Sequence, residues 1–128
     1  MENCIFCKIV KKEIPAYVVY EDNNFMAFLD INPLSPGHTL VIPKAHYRWV
    51  WDVPDVGKYF EVVKKVAKAQ QKAFGTDWIL SKIVGVDVYH AHIWIYPAKA
   101  GPDSKIQGDP KDFETNAEKI RHAISNTK

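Results

Sequence analysis

Residues 17–43 read Tyr17-Val18-Val19-Tyr20-Glu21-Asp22-Asn23-Asn24-Phe25-Met26-Ala27-Phe28-Leu29-Asp30-Ile31-Asn32-Pro33-Leu34-Ser35-Pro36-Gly37-His38-Thr39-Leu40-Val41-Ile42-Pro43. Three β-rich runs are divided here by two breakers. Tyr17 to Glu21 is the first, and Glu21 to Asn24 is a turn signal before the second, Phe25 to Asp30. Asn32 to Gly37 is a cluster of breakers, and His38 to Pro43 is the third run. Short strands joined by turns favour antiparallel pairing, because a parallel pair needs a long crossover.

Downstream, Val56, Phe60, Val63, Ala67, Gln70 and Phe74 recur at helical spacing, and lysines occupy much of the other side. The helix is expected from about Asp55 to Phe74, with Asp52 and Pro54 before it and Gly75 at its C-cap. Lys64-Lys65 reads as part of its solvated face. Trp78 to Tyr96 returns to strand, with Gly85 as an interruption. Residues 98–110 read as loop. Asp112 to Ser125 reads as a second amphipathic helix with Phe113, Ala117, Ile120 and Ile124 on one stripe, and His122 at its surface.

The 128 residues suit one compact domain, taken as 1–128 with 98–128 as its C-terminal loop and helix. A hydrophobic share of 47% is enough for a core and argues against disorder. The net charge of +2 has no basic block or acidic tail, so neither nucleic acid nor membrane is expected as a partner. No apolar run is long enough to span a bilayer, and the N-terminus lacks the pattern of a signal peptide. A cytoplasmic location is therefore expected. There the Cys4-x-x-Cys7 pair reads as a metal clip or redox site more often than as a disulfide.

The chemistry concentrates in Val88-Tyr89-His90-Ala91-His92-Ile93-Trp94-Ile95-Tyr96. On a strand His90, His92, Trp94 and Tyr96 share one side, and Tyr89, Ala91, Ile93 and Ile95 the other, apolar side. The two imidazoles then stand about 7 Å apart. A neutral imidazole whose second N–H is held by a carbonyl is a competent nucleophile. Structural hydrogen bonding or joint metal chelation by His90 and His92 are the blander readings of the same pattern.

Val88-Tyr89-His90-Ala91-His92, with Cys4-Ile5-Phe6-Cys7-Lys8-Ile9, Ile14-Pro15-Ala16 and the run from Phe28 to His46, resembles the histidine triad (HIT) superfamily of nucleotide hydrolases and transferases. The likeness covers most of the chain in the right order. It implies an α+β, HIT-like fold: an antiparallel sheet of about five strands, one long central helix and a C-terminal helix. It implies that His92 is the nucleophile toward the α-phosphorus of a nucleoside phosphoramidate, dinucleoside polyphosphate or related nucleotide, through a nucleotidyl-histidine. By the same resemblance His90 is the first triad histidine, His38 supports the triad from a neighbouring strand, and Asp30 grips the ribose hydroxyls. Ile31, Phe28, Phe6 and Ile9 match base-pocket positions, and a homodimer is implied.

Two departures bear on activity. Trp94 stands where the third triad histidine is expected, and it offers a donor but no proton acceptor. The segment Ser81 to Asp87 is short and has one glycine, so it presents few backbone N–H groups to phosphate. Asp87 would repel substrate phosphates, and Lys82 is a candidate to compensate. A transferase with a second substrate, or a catalytically weak nucleotide-binding protein, are accordingly the alternatives to a hydrolase. Structural zinc requires four closed ligands. Cys4, Cys7 and His46 with His90 supply such a set, similar to that of the family's zinc-bearing bacterial and archaeal-type branch. Zinc there would hold His90 as a support for His92.

Overall fold

A computed structural model describes residues 3–98 and 109–125. The elements run α1 (Ile5–Val10), β1 (Val18–Glu21), β2 (Phe25–Leu29), β3 (Thr39–Pro43), a 3-10 turn (Val50–Asp52), α2 (Val56–Phe74), β4 (Ile79–Ile83), β5 (Ile93–Pro97) and α3 (Phe113–Ser125). The five strands form one sheet in the order β1-β2-β3-β5-β4, and every neighbouring pair is antiparallel. The expected α+β architecture is thus observed. Most of the expected 98–110 loop lies outside the described residues.

Both faces of the central strands are covered. β2 and β3 are buried at every position, so they read as unbroken apolar runs rather than as an alternation. Ala27, Leu29, Val41, Ile93 and Ile95 join a core with α2 and α3. Met26, Phe28, Leu40 and Ile42 point the other way and pack with Phe6 and Ile9 of α1, with Trp94 at the margin. The pleat alternates side chains between these two cores.

α2 begins at Asp55, whose carboxylate accepts the Lys58 N–H at 3.1 Å, and ends at Gly75 in the left-handed region at φ 63°. Its buried side is Tyr59, Val62, Val63, Val66, Ala69, Gln70 and Phe74. The expected stripe is therefore corrected: Val56 and Phe60 face outward, 38% and 40% exposed. Tyr59 takes the inner position because its hydroxyl has an acceptor there, the Val41 carbonyl at 2.7 Å. Gln70 donates to the carbonyls of Gly37 and Ile95, both at 2.9 Å, so α2 grips the ends of β3 and β5.

Two further expectations are corrected. Residues 78–96 do not form a near-continuous strand: β4 ends at Ile83 and β5 starts at Ile93. The break spans residues 84–92, well beyond Gly85. α1 falls in a stretch where no element was expected.

Candidate active site and metal centre

His90 is fully buried beside the start of β5. Its Nε2 lies 2.8 Å from the Pro43 carbonyl. A carbonyl only accepts, so Nε2 carries the proton and Nδ1 presents a lone pair. That Nδ1 stands 3.3 Å from Cys4 Sγ and 3.5 Å from Cys7 Sγ. His46 Nδ1 lies 3.3 Å from Cys7 Sγ. The ligand atoms of Cys4, Cys7, His46 and His90 all lie within 4.8 Å of one another.

This donor set fits zinc. Tetrahedral coordination with ordinary Zn–S and Zn–N lengths separates sulfur from nitrogen by about 3.5 Å. Cys4 also caps α1, its sulfur accepting the Cys7 N–H at 3.4 Å, which turns both thiols to one side. Burial pushes the His90 imidazole down to about 4, with a partly opposing effect from the Pro43 hydrogen bond. It is thereby held in the neutral form that ligates metals. Burial and the neighbouring Cys4 push the Cys7 thiol up to about 11. A divalent cation reverses that by stabilising the thiolate.

His92 follows two residues on. Its Nδ1 is 2.7 Å from the His90 carbonyl, so Nδ1 carries the proton and Nε2 is the free nitrogen. The ring is 6% exposed. Burial lowers its pKa; the His90 hydrogen bond, Asp30 and Asp87 act in the opposite sense, and Arg48 acts with burial. Phe6 of α1 stands edge-on to both rings, with centroids 5.1 Å from His92 and 5.8 Å from His90. Both histidines precede β5 rather than lying within it. The expected alternation persists nonetheless: Ala91, Ile93 and Ile95 enter the α2 side, and Trp94 the α1 side.

Trp94 pairs with Leu40 on one flank and Lys82 on the other. Its ring packs on His38, centroids 5.1 Å apart, and Lys82 Nζ is 5.9 Å above it. His38 Nδ1 accepts the Leu34 N–H at 3.1 Å, leaving Nε2–H buried without a hydrogen-bond partner, with Asp30 Oδ2 3.7 Å away. Burial lowers the His38 pKa, against the pull of Asp30. Asp30 follows β2 and fixes its own loop by accepting the Asn32 N–H at 2.8 Å. Of the apolar candidates, Phe6, Ile9 and Phe28 are buried together, whereas Ile31 is 68% exposed.

One group escaped sequence reading. The Arg48 guanidinium lies between two aromatic faces, 4.2 Å from the Trp49 centroid and 3.9 Å from that of Tyr89. Its signal was an arginine two residues after a metal-ligand candidate and beside a tryptophan, a pattern shared with ordinary surface arginines.

A profile of the HIT domain matches residues 11–101. The chain belongs to the HIT family. A HIT relative from Methanocaldococcus jannaschii, an uncharacterized HIT-like protein, is 40% identical over 121 residues, covering 87% of this chain and 92% of its own. The HIT relative adenosine 5′-monophosphoramidase HNT1 of Saccharomyces cerevisiae is 36% identical over 120 residues, covering 91% and 75%. Among solved HIT structures, a zinc-bound histidine triad family protein from Mycobacterium smegmatis superposes with a TM-score of 0.83 at 32% identity, covering 97% of this chain and 94% of that one.

Proposed function

We propose that this HIT protein is a nucleotide hydrolase that cleaves at the α-phosphorus through a nucleotidyl-His92 intermediate. The observation that carries the reading is the 2.7 Å bond from His92 Nδ1–H to the His90 carbonyl, which leaves Nε2 as a neutral nucleophile. Asp30, just beyond β2, takes the ribose hydroxyls as acceptor. Phe28, Phe6 and Ile9 form the apolar floor for the base, and exposed Ile31 covers it from the loop. His38 steadies Trp94 by packing against it. Cys4, Cys7, His46 and His90 hold a zinc ion, which ties α1 to the segment carrying His92. The described activity of the yeast relative, a phosphoramidase, supports this class of substrate.

A homodimer is part of the same reading. Pairing of α2 with a second copy covers Val56 and Phe60 on its outer side. Trp94 favours a second reading, a transferase whose adduct waits for another acceptor, because its indole accepts no proton.

The deciding experiment is hydrolysis of an adenosine phosphoramidate by the native chain and by His92→Ala. Native turnover with a loss of at least about 10³-fold in the variant is expected. Activity surviving in His92→Ala would sink the mechanism. A nucleotidylated protein that turns over only with added phosphate or sugar phosphate would select the transferase. Light scattering on the purified chain checks the dimer, and a monomer at micromolar concentration removes it.

A further inference from the structure

Arg48 lies where a cation has little reason to be unless something anionic comes to it. The segment that carries it is tied beside His92 by the 2.6 Å bond from Ala91 N–H to the Tyr47 carbonyl. Its guanidinium is pre-positioned between Trp49 and Tyr89, whose faces hold a cation without satisfying its N–H groups. Nη1 is buried with no hydrogen-bond partner, and among the described residues Arg48 has no carboxylate in ion-pair range. Gly85 leaves the room it needs: a Cβ there would meet Nη1 at 2.7 Å and the Trp49 ring at 2.8 Å.

The flank matters as much as the charge. β3 lies on one side of β5, with β2, Asp30 and Phe28 beyond it. β4 and the segment after it, which carries Gly85 and Tyr89, lie on the other side. A nucleoside seated over Phe28 and Asp30 therefore has Arg48 across from it, beyond the phosphorus that His92 attacks. Lys82 on β4 adds a second cation to that flank, and exposed Asp87 is the carboxylate of the intervening segment.

We propose that Arg48 binds the leaving group, and that this group is an oxyanion such as phosphate or sulfate bonded directly to the scissile α-phosphorus. This rests on the nucleotidyl-His92 reading and narrows its substrate class. The planar guanidinium matches two oxygens of such a group at once. His92 Nε2 forms the new N–P bond while the P–O bond to the leaving group breaks, its electron pair departing on that oxygen. The leaving group goes as a stable anion and needs no proton, which suits a site where Trp94 replaces an acid–base histidine. Water then attacks phosphorus, the N–P pair returns to Nε2, and the water proton passes to solvent.

The test compares kcat/KM of the full chain for adenosine 5′-phosphosulfate and for diadenosine tetraphosphate with that for an adenosine phosphoramidate whose leaving group is an uncharged amine. The first two separate sulfate from phosphate as the oxyanion. Arg48→Gln is expected to lower the oxyanion-to-amine ratio by about tenfold or more, and Arg48→Lys by less. An unmoved ratio overturns the proposal, equal losses on both classes included. If Arg48→Gln does not fold, Arg48→Lys decides by the same ratio. Absence of all turnover in the native chain is instead the failure of the hydrolase reading. Calorimetry with ADP and AMP then decides for Arg48: a native preference for ADP that shrinks in the variant supports it, and a preference that is absent or persists overturns it.

Discussion

Gly37 stands at φ +86° immediately before His38, and a Cβ on it would lie 2.3 Å from the Phe74 ring. Both the backbone and the space exclude a side chain. Gly37→Ala is expected to destabilise the chain by about 2–4 kcal/mol, read as a lower urea midpoint. Trp94 makes the other residue-scale prediction. Trp94→His restores a proton acceptor beside His92, so turnover of an amine-leaving phosphoramidate should rise relative to that of a phosphosulfate. A ratio that stays constant would show that position 94 does not govern the leaving group. The candidate site itself was legible residue by residue where a motif carried it, as with Cys4, Cys7, His46, His90 and His92. Arg48 was not, because the two rings that distinguish it come from Trp49 next door and from Tyr89, forty-one positions on.

Among the elements, β1 to β3 could be read in advance because turn signals bound each one, and the observed strands differ by a residue at their ends. α1 could not. Six residues are too few to nucleate a helix in isolation. This one persists because Cys4 caps it and because Phe6 and Ile9 bury against Phe28 and Leu40. On α2 the period was right, and Val63, Gln70 and Phe74 of the expected stripe are buried; its first two members, Val56 and Phe60, turn outward. Two adjacent stripes both carry apolar residues, and Tyr59 decides between them through a carbonyl on another strand. Removing that hydroxyl in Tyr59→Phe leaves the Val41 carbonyl short of a donor in the core. The expected cost is about 1–3 kcal/mol by chemical denaturation, with secondary structure retained. At the edge of the sheet, hydrogen bonds from Lys44 and Lys12 lower the Glu21 pKa. A carboxyl with a depressed folded pKa contributes stability above its unfolded pKa and loses it as pH falls through the folded value. Glu21→Gln should therefore lower stability at neutral and alkaline pH and flatten the acid side of a stability–pH curve, the two proteins converging at low pH.

At the scale of the molecule, α1, the segment after β3 and the segment before β5 meet through polar groups at the Cys4, Cys7, His46 and His90 cluster. If the cluster holds zinc as proposed, a strong chelator is expected to lower the thermal midpoint by about 10 °C. One equivalent of zinc by elemental analysis should accompany the higher midpoint. An unchanged midpoint in metal-free protein would remove the structural role. The cluster also imposes an order on biosynthesis. Cys4 and His90 are 86 positions apart. At ordinary translation speeds the two thiols leave the ribosome roughly 4–17 s before His90. Closure of the four-ligand set would thus be a late event in the life of a nascent chain, coming only after every strand but β5 has been made.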